Sequence, residues 1–170
     1  MNELMVLGFD SRKEAEDARS RGTERAREGT RDLWGAALAY RDGDGRVRFV
    51  QPKPQLHEDA AAKVPAEGWV LRLALPPAIV LAAVGAGAQA VGAALSALGI
   101  DLPFLRRVNE ALEPGRAALF LVLEGDTDPT RVVDSLRPVA PRIIRKALDP
   151  AGERRFLIAV TKDASVAKPP

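Results

Sequence analysis

The chain has 170 residues, enough for one domain, and 46% of them are apolar, which excludes global disorder. Aromatic residues make up only 5%, so the core must be built from Ala, Leu and Val and depends on close backbone packing. A net charge of +2 is too small to favour a nucleic-acid partner. The absence of cysteine excludes disulfides, thiol catalysis and cysteine-ligated zinc.

The N-terminal part of the chain predicts a strand, a helix and a hairpin. The apolar run Leu4–Phe9 is typical of a buried strand, and Ser11 precedes Glu14 at the spacing of a helix capping box. Leu33–Tyr40 and Val47–Val50 predict two strands, and the Asp-Gly-Asp-Gly sequence between them suits a tight turn. Because the first residues lack a basic leader, we expect no signal peptide and a protein that is not secreted.

The middle of the chain carries a long uncharged segment. Pro76 and Pro77 suit the first turn of a helix, no residue from Pro77 to Leu98 is charged, and Gly99 suits a C-cap. These features predict one continuous apolar helix, within an insertion over residues 64–100 that interrupts the domain.

The C-terminal part predicts alternating helices and strands. Asp101 and Asp128, each followed closely by proline, suit the starts of two helices. Ala117–Leu123 is an unbroken apolar run, as in a central strand, and Ile143–Leu148 and Phe156–Val160 predict two further strands joined by a proline-containing turn.

The order of these elements predicts an α+β fold. It matches a ferredoxin-like βαβ…βαβ sandwich with helices on one face of the sheet, an inserted Ala/Gly-rich apolar helix and an extra C-terminal strand. We expect a single domain over residues 1–163 and a loose tail over residues 164–170.

Several segments resemble a bacterial family of small predicted membrane proteins, domain-of-unknown-function family 1269. They are Val6–Asp10 followed by Ala15, then Arg41–Val47, Gly99–Asp101, and Leu112–Gly115 leading into Ala117–Val122. Leu112–Gly115 is the most specific of them, and the resemblance covers about residues 4–148. It implies a ferredoxin-like fold interrupted by a Gly-rich apolar insertion, and it implies no catalytic residues. The family tends to have two apolar segments in the insertion, whereas the first is replaced here by residues 64–75, which contain Glu67 and Arg72.

The apolar helix is the candidate functional element, because small side chains recur along it at four-residue spacing and let two helix backbones approach closely. A domain this small can hardly cover an all-round apolar surface alone, so we predict that the helix drives self-association. The predicted packing residues are Ala78, Ala82, Ala86, Ala90 and Ala94 in one row, Ala88, Gly92 and Ser96 in a second, and Gly85.

Membrane contact is an alternative role for the same helix. About 20 apolar residues can cross a bilayer, and Arg106 and Arg107, just beyond the helix, could meet anionic headgroups. Gln89 near the middle, and the small contribution of Ala and Gly to insertion, argue against a crossing. We therefore expect burial in a homo-oligomer or reversible surface association.

The remaining motifs favour no catalytic, metal or cofactor site. His57 is the sole histidine and reads as a solvated loop residue, and the turn with Asp42 and Asp44 lacks the length of a calcium loop. A basic cluster reads as a solvated sheet edge on a terminal hairpin, rather than as an RNA or lipid site. Its members are Arg142, Arg145, Lys146, Arg154 and Arg155.

These observations predict a non-enzymatic, self-associating protein, either membrane-associated or cytoplasmic. Its expected partner is a second copy of itself, with membrane lipid as a further candidate. The alternative is a soluble ferredoxin-like ligand-binding or regulatory domain in which the apolar helix serves as a dimer arm or lid.

Overall fold

The computed structural model describes residues 2–27, 36–50, 66–85, 89–123, 125, 127–136, 139–156 and 158, which form an α+β fold. In chain order, the elements are β1 (Glu3–Phe9), α1 (Arg12–Arg27), β2 (Ala37–Arg41), β3 (Val47–Val50), α2 (Ala66–Ala83), α3 (Gln89–Ala97), α4 (Leu102–Ala111), β4 (Ala117–Leu123), α5 (Pro129–Ser135), β5 (Arg142–Ala147) and α6 (described at residues 150–156 and 158).

The five strands form one sheet in the order β3-β2-β4-β1-β5, with every neighbouring pair antiparallel. The apolar strand β4 lies at the centre, as its unbroken apolar run predicts. Val6 of β1 pairs with Phe120 of β4 on one side and with Ile144 of β5 on the other. In each of the units β1-α1-β2 and β4-α5-β5, the helix connects two parallel strands that are separated by one strand of the other unit.

Helices cover both faces of the sheet, not one face as predicted. Side chains alternate along β1, so Met5 and Leu7 face a core that includes Ala15 of α1. Leu4 and Val6 face a second core, which is completed by the helices between β3 and β4 and by Phe156 of α6. The inserted helices therefore form a third layer on the sheet.

Helix α1 begins as its sequence predicts and lies close to the sheet. The backbone N–H of Glu14 donates to Ser11 Oγ at 3.2 Å, which caps the helix. Ala15 and Ala18 are fully buried, and side chains this small let the helix backbone approach the strands.

The prediction of one continuous apolar helix from Pro77 to Leu98 is wrong. Helix α2 already begins at Ala66 and runs through both prolines, because fully buried side chains such as Leu75 and Ile79 hold it against the core. It ends before a turn at Gly85, whose φ of 74° is left-handed backbone that glycine adopts without strain. Helix α3 then starts separately.

The predicted C-terminal strand Phe156–Val160 is also wrong where the structure describes it, because Phe156 and Ile158 are helical and Phe156 is fully buried. Asp149 and Pro150, which the sequence predicts to form a turn, instead lie at the start of that helix. Asp149 Oδ1 accepts a hydrogen bond from the backbone N–H of Ala151 at 2.8 Å. An Asp-Pro pair suits a turn and a helix start equally well. The fifth strand is β3, at the opposite edge of the sheet.

The hairpin between β2 and β3 is confirmed. Asp42 Oδ1 accepts from the backbone N–H of Arg46 at 2.8 Å, and Arg48 Nε donates to Asp42 Oδ2 at 3.1 Å. The hydrogen bond from Arg46, followed by that from Arg48, lowers the pKa of Asp42. Strand β2 begins at Ala37, while the predicted start at Leu33 lies outside the described residues.

Candidate functional site

The inserted helices α2 and α3 divide the predicted packing residues between the core and the surface. Ala78 of α2 and Ala94 of α3 are buried in the same core as Leu4 and Phe120 of the sheet. These two alanines therefore let the helices pack against their own sheet, and neither lies on the surface of the chain.

Five other predicted packing residues remain, and the structure describes the surroundings of two of them, neither of which lies on an exposed helix face. Ala82 is partly buried against the same core, and Gly85 lies in the turn after α2. Ala86 and Ala88 fall outside the described residues, and Ala90 is placed on α3 without a described side chain.

The outer surface of α2 and α3 carries the remaining predicted residues. Gly92 and Ser96 are exposed one turn apart on α3, and Ala93, which was not predicted, is exposed beside them. On α2, Leu81 is 45% exposed. The α2–α3 outer face, as named here, consists of Leu81, Gly92, Ala93 and Ser96, and it lies within the stretch from Leu73 to Ile100, in which no residue is charged.

Gly92 makes no close packing contact with any residue that the structure describes. A Cβ atom added at Gly92 would meet nothing within 4 Å, whereas one added at Gly8 would lie 3.1 Å from Ala111 Cβ. Glycine inside a helix is less favourable than alanine by about 0.5–1 kcal/mol. The glycine thus lowers helix stability with no compensating close contact among the described residues.

Helix α4 follows at the end of this layer and carries the two predicted arginines. Arg106 and Arg107 are exposed, and the Arg107 guanidinium lies 5.9 Å from the centre of the Phe104 ring. As predicted, Asp101 caps α4, accepting from the backbone N–H of Phe104 at 2.9 Å. Asp101 also bonds Lys146 of β5, and these two hydrogen bonds, that of Lys146 first, lower its pKa.

The basic side chains of the edge strand β5 are neutralised by carboxylates of the same chain. Arg142 Nη2 lies 3.0 Å from Asp10 Oδ1, and Arg145 donates to both carboxylate oxygens of Glu3, at 2.7 and 2.8 Å. This pairing agrees with the prediction of a charged sheet edge. Arg154 and Arg155 lie on α6 and not on a terminal hairpin.

Sequence reasoning missed a polar contact region at the C-terminal end of α4. Arg116 Nη1 donates to the backbone oxygen of Glu110 at 3.2 Å and lies 2.7 Å from Glu113 Oε2. Arg41 Nη2 donates to Asn109 Oδ1 at 3.2 Å. Cations at the C-terminus of a helix interact favourably with the helix dipole. Because Arg41 and Arg116 are brought to α4 by the pairing of β2 with β4, only the sheet register could have revealed these contacts.

The described residues offer no group of three or more His, Asp or Glu side chains able to hold a metal ion. His57 lies outside them. Within the described ranges, no helix combines the length and apolar character needed to cross a membrane.

Comparison with known proteins gives a family match. The model of the family described as Protein of unknown function (DUF1269) matches residues 68–160, which is 93 of the 170 residues. The matched range includes the α2–α3 outer face, α4, β4 and β5. No curated protein and no solved structure matches the chain.

Proposed function

The chain belongs to the DUF1269 family of proteins of unknown function, and we propose that it is a non-enzymatic protein that associates with copies of itself through the α2–α3 outer face. One observation carries the proposal: this face combines the partly exposed Leu81 with the small exposed side chains of α3 and has no charge. An uncharged surface with exposed apolar groups is typical of a protein contact.

The geometry of α3 supports a close helix–helix contact. Gly92, Ala93 and Ser96 leave the helix backbone accessible, so a second helix can approach nearer than long side chains would allow. Packing of this kind gains dispersion contacts over a short length of helix and requires no large side chains. The unfavourable Gly92 is compensated if a partner backbone packs there.

The character of the core supports a non-enzymatic role. Among the described residues, no polar or charged residue is fully buried. Acid–base and nucleophilic groups owe their shifted pKa values mostly to burial beside a charge partner. The groups whose pKa is shifted, such as Asp42 and Asp101, instead belong to ion pairs and caps outside the core.

A lid over a ligand site is the competing function. Leu4, Val6 and Phe120 are almost fully buried beneath the inserted helices, so a ligand between the layers would have to displace this core. The packing therefore favours self-association.

We also assign β1, β2, β4 and β5, with α1 and α5, to a ferredoxin-like arrangement, supported by their strand order and the two interlocked units.

Light scattering of the purified full-length chain tests self-association. We expect a particle larger than the monomer, and we expect Ala93→Glu to convert it to monomer, because burying an unpaired carboxylate in an interface is costly. Ala151→Glu is the matched control, since Ala151 is an exposed helical alanine on α6. A wild-type chain that stays monomeric at high concentration, or equal effects of the two substitutions, would refute the proposal.

A further inference from the structure

The start of α4 exposes an apolar side chain beside two cations. Leu102, the first residue of α4, is 69% exposed, more than the other exposed large apolar side chains in the described ranges. Arg106 stands four residues later and therefore on the same side of the helix, and Arg107 is adjacent to it.

The charge around Leu102 is positive. Neither Arg106 nor Arg107 forms an ion pair with any residue that the structure describes, in contrast to Arg142 and Arg145 of β5. The carboxylate next to Leu102 belongs to Asp101, which is bonded to Lys146. Glu110, the acidic residue of α4, lies about two turns away from Leu102.

We propose that the start of α4 is a contact surface for an anionic lipid bilayer, in which Leu102 enters the acyl boundary and Arg106 and Arg107 bind lipid phosphates. A side chain as exposed as Leu102 protrudes into solvent, so it suits a soft surface that can close over it. Basic residues next to such a side chain add electrostatic attraction to anionic headgroups.

This surface consists of other residues than the α2–α3 outer face, so the proposal does not depend on self-association. It requires no membrane-crossing helix, because one leucine and two arginines lie at the interface alone. The binding is expected to be reversible and to weaken with salt, since two exposed cations supply most of the attraction.

Vesicle co-sedimentation of the full-length chain tests the proposal. We expect the wild type to pellet at low ionic strength with vesicles of equal parts phosphatidylglycerol and phosphatidylcholine, and not with phosphatidylcholine alone. The double variant Arg106→Gln/Arg107→Gln should reduce partitioning about 25-fold, at roughly fivefold per arginine. Leu102→Ser should reduce it about tenfold.

The matched control is Arg154→Gln/Arg155→Gln, which removes an adjacent pair of exposed arginines from α6 and should change partitioning less than about twofold. Equal losses from the two double variants, or pelleting with both vesicle types alike, would overturn the proposal. Tight binding to heparin, together with vesicle partitioning that Leu102→Ser does not change, would also overturn the proposal, because it would indicate that the surface binds a soluble polyanion. Light scattering of each variant reports self-association separately, so either proposal can fail alone.

Discussion

Gly152 lies so close to Ala97 that a Cβ atom added to Gly152 would be 1.7 Å from the Ala97 carbonyl oxygen. The contact joins α6 to the C-terminal end of α3, and the backbone N–H of Asp149 donates to the Leu98 oxygen at 3.1 Å in the same place. Here glycine is required by the approach of two backbones, neither of which can move without disturbing its helix.

Gly152→Ala is expected to destabilise the fold by about 1–3 kcal/mol or more, because a methyl group overlapping a backbone carbonyl forces α6 away from α3. Urea unfolding followed by circular dichroism measures the loss. An unchanged midpoint would mean that α6 does not dock on α3 as described.

Phe156→Ala should lower the free energy of unfolding by about 3–5 kcal/mol, since the ring is fully buried in the core beneath the inserted helices. Ile158→Ala is the control, because Ile158 is 59% exposed, and its change should stay within about 0.5 kcal/mol. If the two substitutions had equal effects in the same urea titration, Phe156 would not be part of that core.

The two Asp-Pro pairs show where local sequence stops being informative. The sequence predicts a helix start at Asp128-Pro129 and a turn at Asp149-Pro150, yet both pairs begin helices. The dipeptide is compatible with either structure. What selects the helix at Asp149 is the docking of Gly152 and the burial of Phe156, and both contacts are remote in sequence.

Two strands are predictable with their bounds because their signals are local. Ala117–Leu123 and Val47–Val50 were placed with their observed bounds, since an unbroken apolar run and a glycine-rich hairpin turn each indicate one structure. The position of the inserted helices was not predictable, because an uncharged segment suits the second face of a sheet as well as a bilayer or an interface.

The candidate packing surface was only partly predictable for a related reason. A row at four-residue spacing shares one face only if the helix is continuous. The turn at Gly85 separates α2 from α3, so Ala78 and Ala94 both face the core, while Gly92 and Ser96 face outward. From sequence alone, Gly85 is compatible with the interior of a helix and with the end of one. Only the packing of α2 and α3 on the sheet determines that the helix ends there.

Asp101→Asn is expected to destabilise the fold at neutral pH and to have a smaller effect in acid. Hydrogen bonds from Lys146 and from the Phe104 backbone lower the pKa of Asp101 below its ordinary 3.8. The carboxylate therefore stabilises the fold fully above the unfolded pKa, and this contribution is lost as the pH falls through the lower folded value. Asparagine keeps the helix cap but removes the charge.

Urea unfolding of the wild type and Asp101→Asn at neutral pH and at about pH 2 measures this difference. Lys146→Gln should remove the same hydrogen bond, so the double variant should lose less stability at neutral pH than the two single variants together. A gap between wild type and Asp101→Asn that is the same at both pH values would contradict the assignment.

Gly92→Ala should change fold stability and self-association in opposite directions. In the isolated chain the added methyl group meets no atom within 4 Å, so the helix should gain about 0.5–1 kcal/mol. In the proposed assembly the same methyl group separates two helix backbones, so the dissociation constant should rise. Urea unfolding at low concentration measures the first effect and sedimentation equilibrium the second.

Gly85→Ala is the contrast, because its φ of 74° strains alanine by about 1–2 kcal/mol and should destabilise the fold. If Gly92→Ala stabilised the fold and left association unchanged, the contact between copies would not include Gly92.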